Sequence, residues 1–285
     1  MVVDFKVYKV TDSTAFVLGD EFNEFTANAA GVALKNFVVA IDPTPMPDTA
    51  NLFRKKLEAH FNLPVKYLFI THYHLDHIFG VAPFKDTTIV SSSVLSQAIQ
   101  KKLESQWAPE AFQKWKEQEP EKSEVIDSIE IILPHQTFQD TFEINDESLQ
   151  VSFFYTGGHT RCSSYAYFPH EKVLFAGDLI FAKSFPWAGD ETCDPDVWIQ
   201  VLKDFLELDF EKLVPGHGPI VGKETVKDQL KFLEDLKKAT IEAISTGKDK
   251  EGIQVPEYYT PEEKDMWVKT RTIEYFFNFY KEKTI

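Results

Sequence analysis

The amino-acid sequence predicts a mixed sandwich of the α/β or α+β class, in which helices cover the faces of β-sheets. Runs of β-branched and aromatic residues recur as far as Pro215, and helical patterns alternate with them after an opening hairpin. The rest of the chain shows helical patterns only. A length of 285 residues permits one large domain or two small ones.

Runs of β-branched and aromatic residues are interpreted as strands. They are Phe5–Val10, Thr14–Leu18, Phe37–Ile41, Val65–Thr71, Thr88–Ser91, Glu130–Leu133, Leu149–Tyr155, Ser164–Phe168, Lys172–Ala176 and Lys212–Pro215. All of them fall far short of the roughly 18 apolar residues that a membrane span requires. The sequence therefore predicts β-sheets and no transmembrane segment.

Helical periodicity separates several of these strands. Asp48–His60 places Phe53 and Leu57 on one face, and Val94–Trp115 is interpreted as a second helix. Pro195–Leu206 carries an apolar side of the same kind. Helices between strands have to cover the sheet faces, because each sheet must bury its apolar side.

The C-terminal part of the chain is predicted to form helices alone. Lys223–Ser245 has one apolar stripe, and a final helix is expected to be capped by Thr260 and to begin at Pro261. We therefore divide the chain into a domain of residues 1–221 and a helical extension of residues 222–285. We expect the extension to pack on the domain or to provide a surface for homo-oligomer formation.

Composition limits the partners and the compartment. The chain has 30 Lys and Arg residues against 45 Asp and Glu residues, and a net charge of −15 argues against nucleic acid as a partner. Its two cysteines, Cys162 and Cys193, form no CxxC pair, which fits a reducing compartment. The first residues show no secretory signal. We expect a cytoplasmic protein without a membrane partner.

A histidine motif directly follows the strand Val65–Thr71. It reads His-x-His-x-Asp-His and contains His72, His74, Asp76 and His77. Alternate residues of an extended chain point the same way, so the first two histidines can bind one ion, while the others leave a turning chain and can bind a second. Imidazole and carboxylate ligands suit zinc, and the lack of a thiolate is also compatible with iron or manganese.

Three further candidate ligands are predicted in loops that follow strands. They are His159, Asp178 and His217, and each has a glycine beside it. Glycine lets the backbone turn sharply and approach a metal closely. For any one of them alone, a turn residue bonded to local backbone is the favoured interpretation. Together with the histidine motif, they complete a set for two metal ions.

With these motifs, the sequence resembles the metallo-β-lactamase-fold hydrolase superfamily from about Phe5 to Pro219. The resemblance implies a four-layer αββα sandwich with its site at one edge between the sheets, followed here by the C-terminal helical extension. It implies one zinc held by His72, His74 and His159, a second held by Asp76, His77 and His217, and Asp178 bridging the two.

The resemblance also gives Asp42 a supporting role, because it matches the acidic residue that the family places after the same strand. A simple turn-forming role for Asp42 is the alternative. The segment around His159 departs from the family, since Gly157 replaces a usual proline and Cys162 stands at a usual glycine. We expect Cys162 to be a buried structural thiol, because a buried cysteine behaves as a small hydrophobic residue.

A pair of metal ions explains why these residue types are needed. Two divalent cations about 3.5–4 Å apart lower the pKa of a shared water, polarise the electrophile and stabilise the leaving group. The nucleophile is then hydroxide, and the sequence contains no Gly-x-Ser-x-Gly elbow for a serine nucleophile. We predict that Asp76 also acts in catalysis, by orienting the hydroxide or accepting its proton.

The bridging aspartate distinguishes subfamilies within the superfamily. Asp178 resembles the bridging residue of thioesterases of the glyoxalase II type, lactonases and phosphodiesterases, whereas antibiotic-hydrolysing members have Cys or Ser there. The function predicted is a dinuclear zinc hydrolase that uses a bridging hydroxide to cleave a small thioester, lactone, ester or, promiscuously, β-lactam. Substrate-binding residues cannot be assigned. A phosphodiesterase or nuclease and an iron-dependent, persulfide dioxygenase-like enzyme are the alternatives.

Overall fold

Two β-sheets pack face to face, and helices cover both outer faces, in the computed structural model of the chain, which describes residues 5–17, 27–256 and 266–284. This arrangement confirms the expected α+β class and the four-layer αββα sandwich with helices at its C-terminal end. Among the described residues, none of the helices combines the length and the apolar character that a bilayer crossing requires.

The first sheet has seven strands whose spatial order follows the chain. They are β1 (Val7–Lys9), β2 (Thr14–Val17), β3 (Ala29–Ala33), β4 (Val38–Ile41), β5 (Val65–Phe69), β6 (Thr88–Ser92) and β7 (Gln136–Phe138). β1 to β4 pair antiparallel, whereas β4 to β7 pair parallel. The carboxyl ends of β4, β5 and β6 therefore lie at the same edge of the sheet.

The second sheet has five strands in the order β12-β11-β10-β9-β8. They are β8 (Thr141–Asp146), β9 (Leu149–Tyr155), β10 (Ser164–Phe168), β11 (Val173–Phe181) and β12 (Lys212–His217). β8 to β11 pair antiparallel, and β12 is parallel to β11. As a result, β9, β11 and β12 run in one direction and end at one edge.

The described helices lie outside the sheets. They are α1 (Pro47–Phe61), α2 (Leu75–Ile78), α3 (Ser93–Leu103), α4 (Pro109–Gln118), α5 (Ser123–Asp127), α6 (Pro195–Glu207), α7 (Lys223–Ser245) and α8 (Met266–Thr284). Short 3₁₀ segments occur at Phe79–Phe84, Pro120–Lys122 and Lys250–Gly252. Helix α1 buries Phe53 and Leu57 against the first sheet, and α6, α7 and α8 share one apolar core with the second sheet.

The two sheets are held together by apolar side chains between them. Phe69 of β5 packs on Phe153 of β9 with ring centroids 4.3 Å apart, and Val90, Phe175 and Val214 belong to the same buried cluster. Burying a side chain of this size contributes about 1.5–3 kcal/mol. The strands that carry the site are thus fixed to each other by the inter-sheet core.

Three strands, β3, β7 and β8, were not predicted from the sequence. β3 consists of residues with small side chains. A Cβ added to Gly31 would lie 2.8 Å from the side chain of Leu57, because α1 packs directly on this strand and leaves no room for larger side chains. β8 is an edge strand with alternating exposed polar residues, joined to β9 by a hairpin at Glu147. β3 and β8 lack the β-branched run on which the predictions relied.

Two predicted elements were wrong in detail. Residues 130–133 form no strand, and pairing with β6 begins only at Gln136. The single helix predicted over Val94–Trp115 is two helices, because Pro109 lacks the N–H that a continuous helix needs and instead begins α4. Its residues help to enclose a cleft described below.

The predicted start of the last helix, with Thr260 and Pro261, lies outside the described residues, as does Leu18 at the end of the second predicted strand. The described part of the helix is α8. Helix α7 has the predicted bounds, Lys223–Ser245. The division of the chain after residue 221 stays a prediction, and α7 and α8 share their apolar core with α6 and β11.

Asp196, in the first turn of α6, connects all three C-terminal helices. Its carboxylate accepts hydrogen bonds from Lys237 Nζ at 2.7 Å, Tyr280 Oη at 2.7 Å and Lys283 Nζ at 2.9 Å. Burial opposes ionisation, but these donors lower the pKa of Asp196 to about 2. Replacing Asp196 by Asn should therefore lower the free energy of unfolding by about 1 kcal/mol at pH 7.

The pH dependence of this effect tests its cause. The folded-state pKa of Asp196 is depressed, so its contribution is present above about pH 4 and is lost as the pH falls towards 2. Denaturant unfolding of the wild type and Asp196→Asn should converge in that range. Asp204→Asn, on the exposed side of α6, is the control and should change little. A gap that persists unchanged to pH 2 would contradict this explanation.

Candidate metal centre

All seven predicted ligand side chains lie together at the edge where β5, β9, β11 and β12 end. Two residues follow β5, two belong to α2, one follows β9, one lies within β11 and one ends β12. In that order they are His72 and His74, Asp76 and His77, His159, Asp178, and His217. Strand direction thus collects residues that are up to 145 positions apart in the chain, from 72 to 217.

The first group of donors is His72, His74, His159 and Asp178. His74 Nδ1 lies 2.9 Å from His72 Nε2 and 3.0 Å from His159 Nε2. Asp178 Oδ2 lies 3.6 Å from His72 Nε2 and 3.4 Å from His159 Nε2. Three imidazole nitrogens and one carboxylate oxygen therefore converge on one point.

The second group is Asp76, His77 and His217. Asp76 Oδ2 lies 3.5 Å from His217 Nε2 and 4.0 Å from His77 Nε2. The other carboxylate oxygen of Asp178, Oδ1, lies 3.0 Å from His77 Nε2 and 3.3 Å from His217 Nε2. Asp178 therefore faces both groups, with one oxygen directed to each.

The unpaired atoms of this cluster fit a metal centre. His77 Nε2 and Asp178 Oδ1 are buried, and neither has a hydrogen-bond partner within the described part of the chain although they lie 3.0 Å apart. Buried polar atoms are normally paired. A cation shared by the converging atoms would satisfy them, and imidazole with carboxylate is a donor set that suits zinc, iron or manganese.

The electrostatics of the cluster favour a cation. Burial lowers the pKa of His72 well below its usual value and that of His159 to about 3, so both rings are neutral and offer a lone pair at pH 7. Burial opposes a charge on His77, but Asp178 and other carboxylates raise its pKa well above the usual value. Despite burial, His217 and His77 hold the pKa of Asp178 well below its usual value. A metal ion would replace the proton of His77.

Asp42, to which the resemblance gives a supporting role, contacts His77 and Thr71. Its Oδ2 accepts a hydrogen bond from Thr71 Oγ1 at 2.7 Å and lies 2.8 Å from His77 Nδ1, while Oδ1 accepts from Thr71 N at 2.8 Å. When His77 donates its Nδ1–H to Asp42, its Nε2 carries the lone pair that can bind a metal ion. Asp42 adopts a left-handed backbone with φ of 51°, a conformation that aspartate tolerates better than most residues.

Asp178 is not in a loop past its strand, as the sequence analysis predicted, but within β11. The register between β11 and β12 shifts after Phe175 and again after Gly177, so the strand is irregular next to Asp178. His217 is likewise the last residue of β12 and not a loop residue. His159 does follow its strand in a loop, as predicted.

A residue that the sequence analysis missed, Asp190, contacts the opposite side of His74. Asp190 Oδ2 lies 3.1 Å from His74 Nε2, and its carboxylate accepts hydrogen bonds from Tyr73 Oη at 2.7 and 2.8 Å and from Thr192 N at 2.8 Å. When His74 donates its Nε2–H to Asp190, its Nδ1 carries the lone pair that can bind a metal ion. No motif marks Asp190, because its segment is separated from the histidine motif by more than a hundred residues.

Aromatic rings fix the imidazoles from outside. Phe181 stacks on His217 at 5.3 Å with an interplanar angle of 3°, and Trp187 contacts His74 at 4.8 Å. Trp198 contacts His159 at 5.2 Å. These contacts restrict ring rotation, and they leave a cleft of about 600 Å³ beside His74.

Cys162 lies near the site without contributing to it. The side chain is fully buried in the apolar cluster beneath the first sheet, and its Sγ lies 3.3 Å from Thr160 Oγ1. Burial raises the pKa of the thiol to about 12, so it is not a thiolate at neutral pH. This environment agrees with the expected structural thiol.

Comparison with known proteins identifies the family. The sequence model described as "Metallo-beta-lactamase superfamily" matches residues 25–217, more than half of the chain. The chain belongs to the metallo-beta-lactamase superfamily. Membership of this superfamily, together with the cluster of His and Asp side chains, indicates a metal-dependent hydrolase that acts on a small molecule.

Two curated superfamily relatives cover most of the chain. The 2,4-dinitroanisole O-demethylase subunit alpha of Nocardioides sp. (strain JS1661) is 24% identical over 249 residues, which span 84% of this chain and 66% of that protein. The beta-lactamase-like protein 2 homolog of Caenorhabditis elegans is 22% identical over 252 residues, which span 87% of this chain and 75% of that protein. The chain thus spans just under two thirds of the first relative's length.

Solved structures of superfamily members share the fold. A metallo-beta-lactamase from Pontibacter korlensis superposes with a TM-score of 0.63 at 18% identity. The superposition covers 81% of this chain and 99% of that protein. This likeness supports the sandwich architecture and says nothing about the substrate.

Gly216 is required next to Asp178, because the two strands approach closely there. A Cβ at Gly216 would lie 1.9 Å from Asp178 Oδ1. Gly216→Ala should displace that carboxylate and lower the retained divalent metal by about one ion per chain, measured on zinc-loaded protein by atomic emission after dialysis. Gly222→Ala, whose Cβ would have only the carbonyl oxygen of Glu211 within 4 Å, at 3.9 Å, is the control. Unchanged zinc content in Gly216→Ala would contradict this role of Asp178.

Asp190 is predicted to set the metal affinity of the first group through His74. Asp190→Asn weakens the acceptor of the His74 Nε2–H and should lower zinc affinity about 10- to 100-fold. Competition with a chelator of known affinity measures the change. Glu191→Gln alters the next residue, which is exposed, and should leave the affinity unchanged. Equal affinities in wild type and Asp190→Asn would refute the prediction.

Proposed function

We propose that this protein is a dinuclear zinc hydrolase that cleaves a small carbonyl substrate, a thioester, lactone or ester, and promiscuously a β-lactam. The single observation that carries the proposal is the position of Asp178. Its two oxygens face separate donor groups at 3.0–3.6 Å, which is what a bridging carboxylate requires. A single metal ion would leave the second group of His and Asp side chains unexplained.

The exposed side of the donor set indicates where a substrate approaches. The side chains of His74, Asp76 and His217 are 14%, 13% and 16% exposed, whereas those of the other four donors are at most 4% exposed. A substrate therefore reaches the centre across these three residues. Bound there, two divalent cations would activate a water for attack and polarise the carbonyl.

The side chains of the chain itself have defined tasks in this proposal. Asp178 keeps the two donor groups together, and Asp42 and Asp190 orient the imidazoles of His77 and His74. Asp76, at the exposed side, would accept the proton of the attacking water and return it to the leaving group. No serine or cysteine nucleophile is required.

Other reactions use donor sets of this kind. A phosphodiesterase or nuclease and an iron-dependent, persulfide dioxygenase-like enzyme stay as alternatives, and the net charge of −15 argues against nucleic acid. Cleavage of an activated aryl ether is a further candidate, because one relative is named a 2,4-dinitroanisole O-demethylase subunit and aromatic side chains line the cleft.

We also propose a cytoplasmic location, since Cys162 and Cys193 are both buried and unpaired and need no oxidising compartment. A homo-oligomer through the C-terminal helices is compatible with exposed apolar residues on them, of which Trp267 is 62% exposed. Sedimentation analysis of the full chain would test the oligomer.

A substrate panel tests the proposed function. Initial rates of the zinc-loaded protein are compared for a thioester, a lactone, an aryl ester, a β-lactam reporter, a phosphodiester reporter and 2,4-dinitroanisole. We expect a carbonyl substrate to lead by more than about tenfold. A phosphodiester or 2,4-dinitroanisole lead, or oxygen uptake with a persulfide by iron-loaded protein, would replace the proposal by the corresponding alternative.

Removal of the bridging carboxylate tests the two-metal centre. Asp178→Ala should lose at least one zinc and about 100-fold or more in rate on the leading substrate. Asp228→Ala, on the exposed face of α7, is the matched control and should keep both. Full activity and full zinc content in Asp178→Ala would rule out a dinuclear centre built on this residue.

A further inference from the structure

The cleft beside His74 is lined by several helices and loops in addition to the histidine motif. Helix α4 and the loop before it contribute Trp107, Phe112 and Trp115, the segment after β11 contributes Trp187, and α8 contributes Arg271. Its volume of about 600 Å³ is in the range of small-molecule sites, which is about 300–1,000 Å³. The cleft is therefore large enough for an organic group of one or two rings.

Helix α4 presents its aromatic side chains to this cleft without burying them. None of its residues is fully buried, and Phe112 and Trp115 are only half-buried, with ring centroids 6.4 Å apart and an interplanar angle of 28°. Behind them, Phe79 lies 6.0 Å from Phe112 and 6.3 Å from Trp115. An apolar wall left open to solvent in this way is typical of a ligand site.

The aromatic lining reaches the metal centre itself. Trp187 contacts the imidazole of His74 at 4.8 Å, and His74 is the first-group donor that lines the cleft. The cleft therefore opens onto the first donor group, and a molecule that reaches the metal centre at His74 can extend a group into it.

Charge does not select the ligand, because the charges that line the cleft balance. Lys102 and Arg271 are opposed by Asp190 and Glu191. The Nζ of Lys102 donates to Gln106 at 2.7 Å, and Arg271 pairs with Glu274 at 3.4 Å. Selectivity for a ligand therefore depends on the flat apolar surfaces of the aromatic rings that line the cleft.

We infer that the substrate carries a neutral aromatic group, which stacks on the half-buried wall of Phe112 and Trp115 while the scissile carbonyl lies at His74. This inference rests on the proposed hydrolase function and adds its substrate class. An aromatic pair in such a site adds binding energy beyond its buried area, so loss of one wall residue should weaken binding about tenfold.

Two acetate esters with similar alcohol leaving groups test the inference. The zinc-loaded wild type should prefer 2-naphthylmethyl acetate over ethyl acetate in kcat/KM. Trp115→Ala should raise KM for the naphthylmethyl ester about tenfold and leave kcat/KM for ethyl acetate unchanged. Trp115→Phe should restore most of the preference.

The controls separate a cleft effect from a folding effect. Trp267→Ala removes an exposed tryptophan of α8 outside the cleft lining and should leave the preference intact. If Trp115→Ala does not fold, Phe112→Ala replaces it. An equal loss for both esters, or no loss for either, would overturn the inference.

A binding measurement separates this inference from the proposed function. Calorimetric titration with 2-naphthylmethanol, the product alcohol, needs no turnover. If the wild type hydrolyses neither ester but binds 2-naphthylmethanol, and Trp115→Ala weakens that binding, the hydrolase proposal fails and the aromatic site stands. If the wild type does not bind 2-naphthylmethanol, the aromatic site is refuted whatever the rates are.

Discussion

The buried carboxylate of Asp178 is the constraint on which the site depends. An ionised carboxylate at 4% exposure costs several kcal/mol unless positive charge surrounds it. Imidazole nitrogens of His72, His77, His159 and His217 lie within 3.0–3.6 Å of its two oxygens. Despite burial, neighbouring carboxylates raise the pKa values of His77 and His217, so their protons supply part of that charge without metal, and divalent cations between the groups would supply it in place of those protons.

The directions of the strands bring the histidines around the Asp178 carboxylate. β9, β11 and β12 run the same way and bring His159, Asp178 and His217 to one edge, while the end of β5 brings the histidine motif to it from the other sheet. The inter-sheet core, with Phe69 against Phe153, fixes the positions of these strand ends relative to one another. Close packing at the edge leaves no space for side chains between neighbouring strands, as at Gly216.

The outer helices then give the centre its surroundings. A new helix, α4, begins at Pro109 and carries aromatic rings that line the cleft. The segment after β11 adds Trp187 and Asp190 against His74, and α8 closes one side with Arg271. Chemistry and selectivity are thus contributed by different layers, with the donors on strand ends and the cleft on helices and loops.

The sequence by itself determined the superfamily, the mixed four-layer fold class and the seven candidate donors, because those depend on local spacing: period-two and helical patterns, the histidine motif and glycines next to His159 and His217. It missed β3, whose small residues reflect contact with α1, and it placed Asp178 beyond its strand. Three features are visible only in the tertiary structure: the two Asp178 oxygens that face different donor groups, the contact of Asp190 with His74, and the aromatic cleft. These are contacts between residues distant in the chain, and no local pattern encodes them.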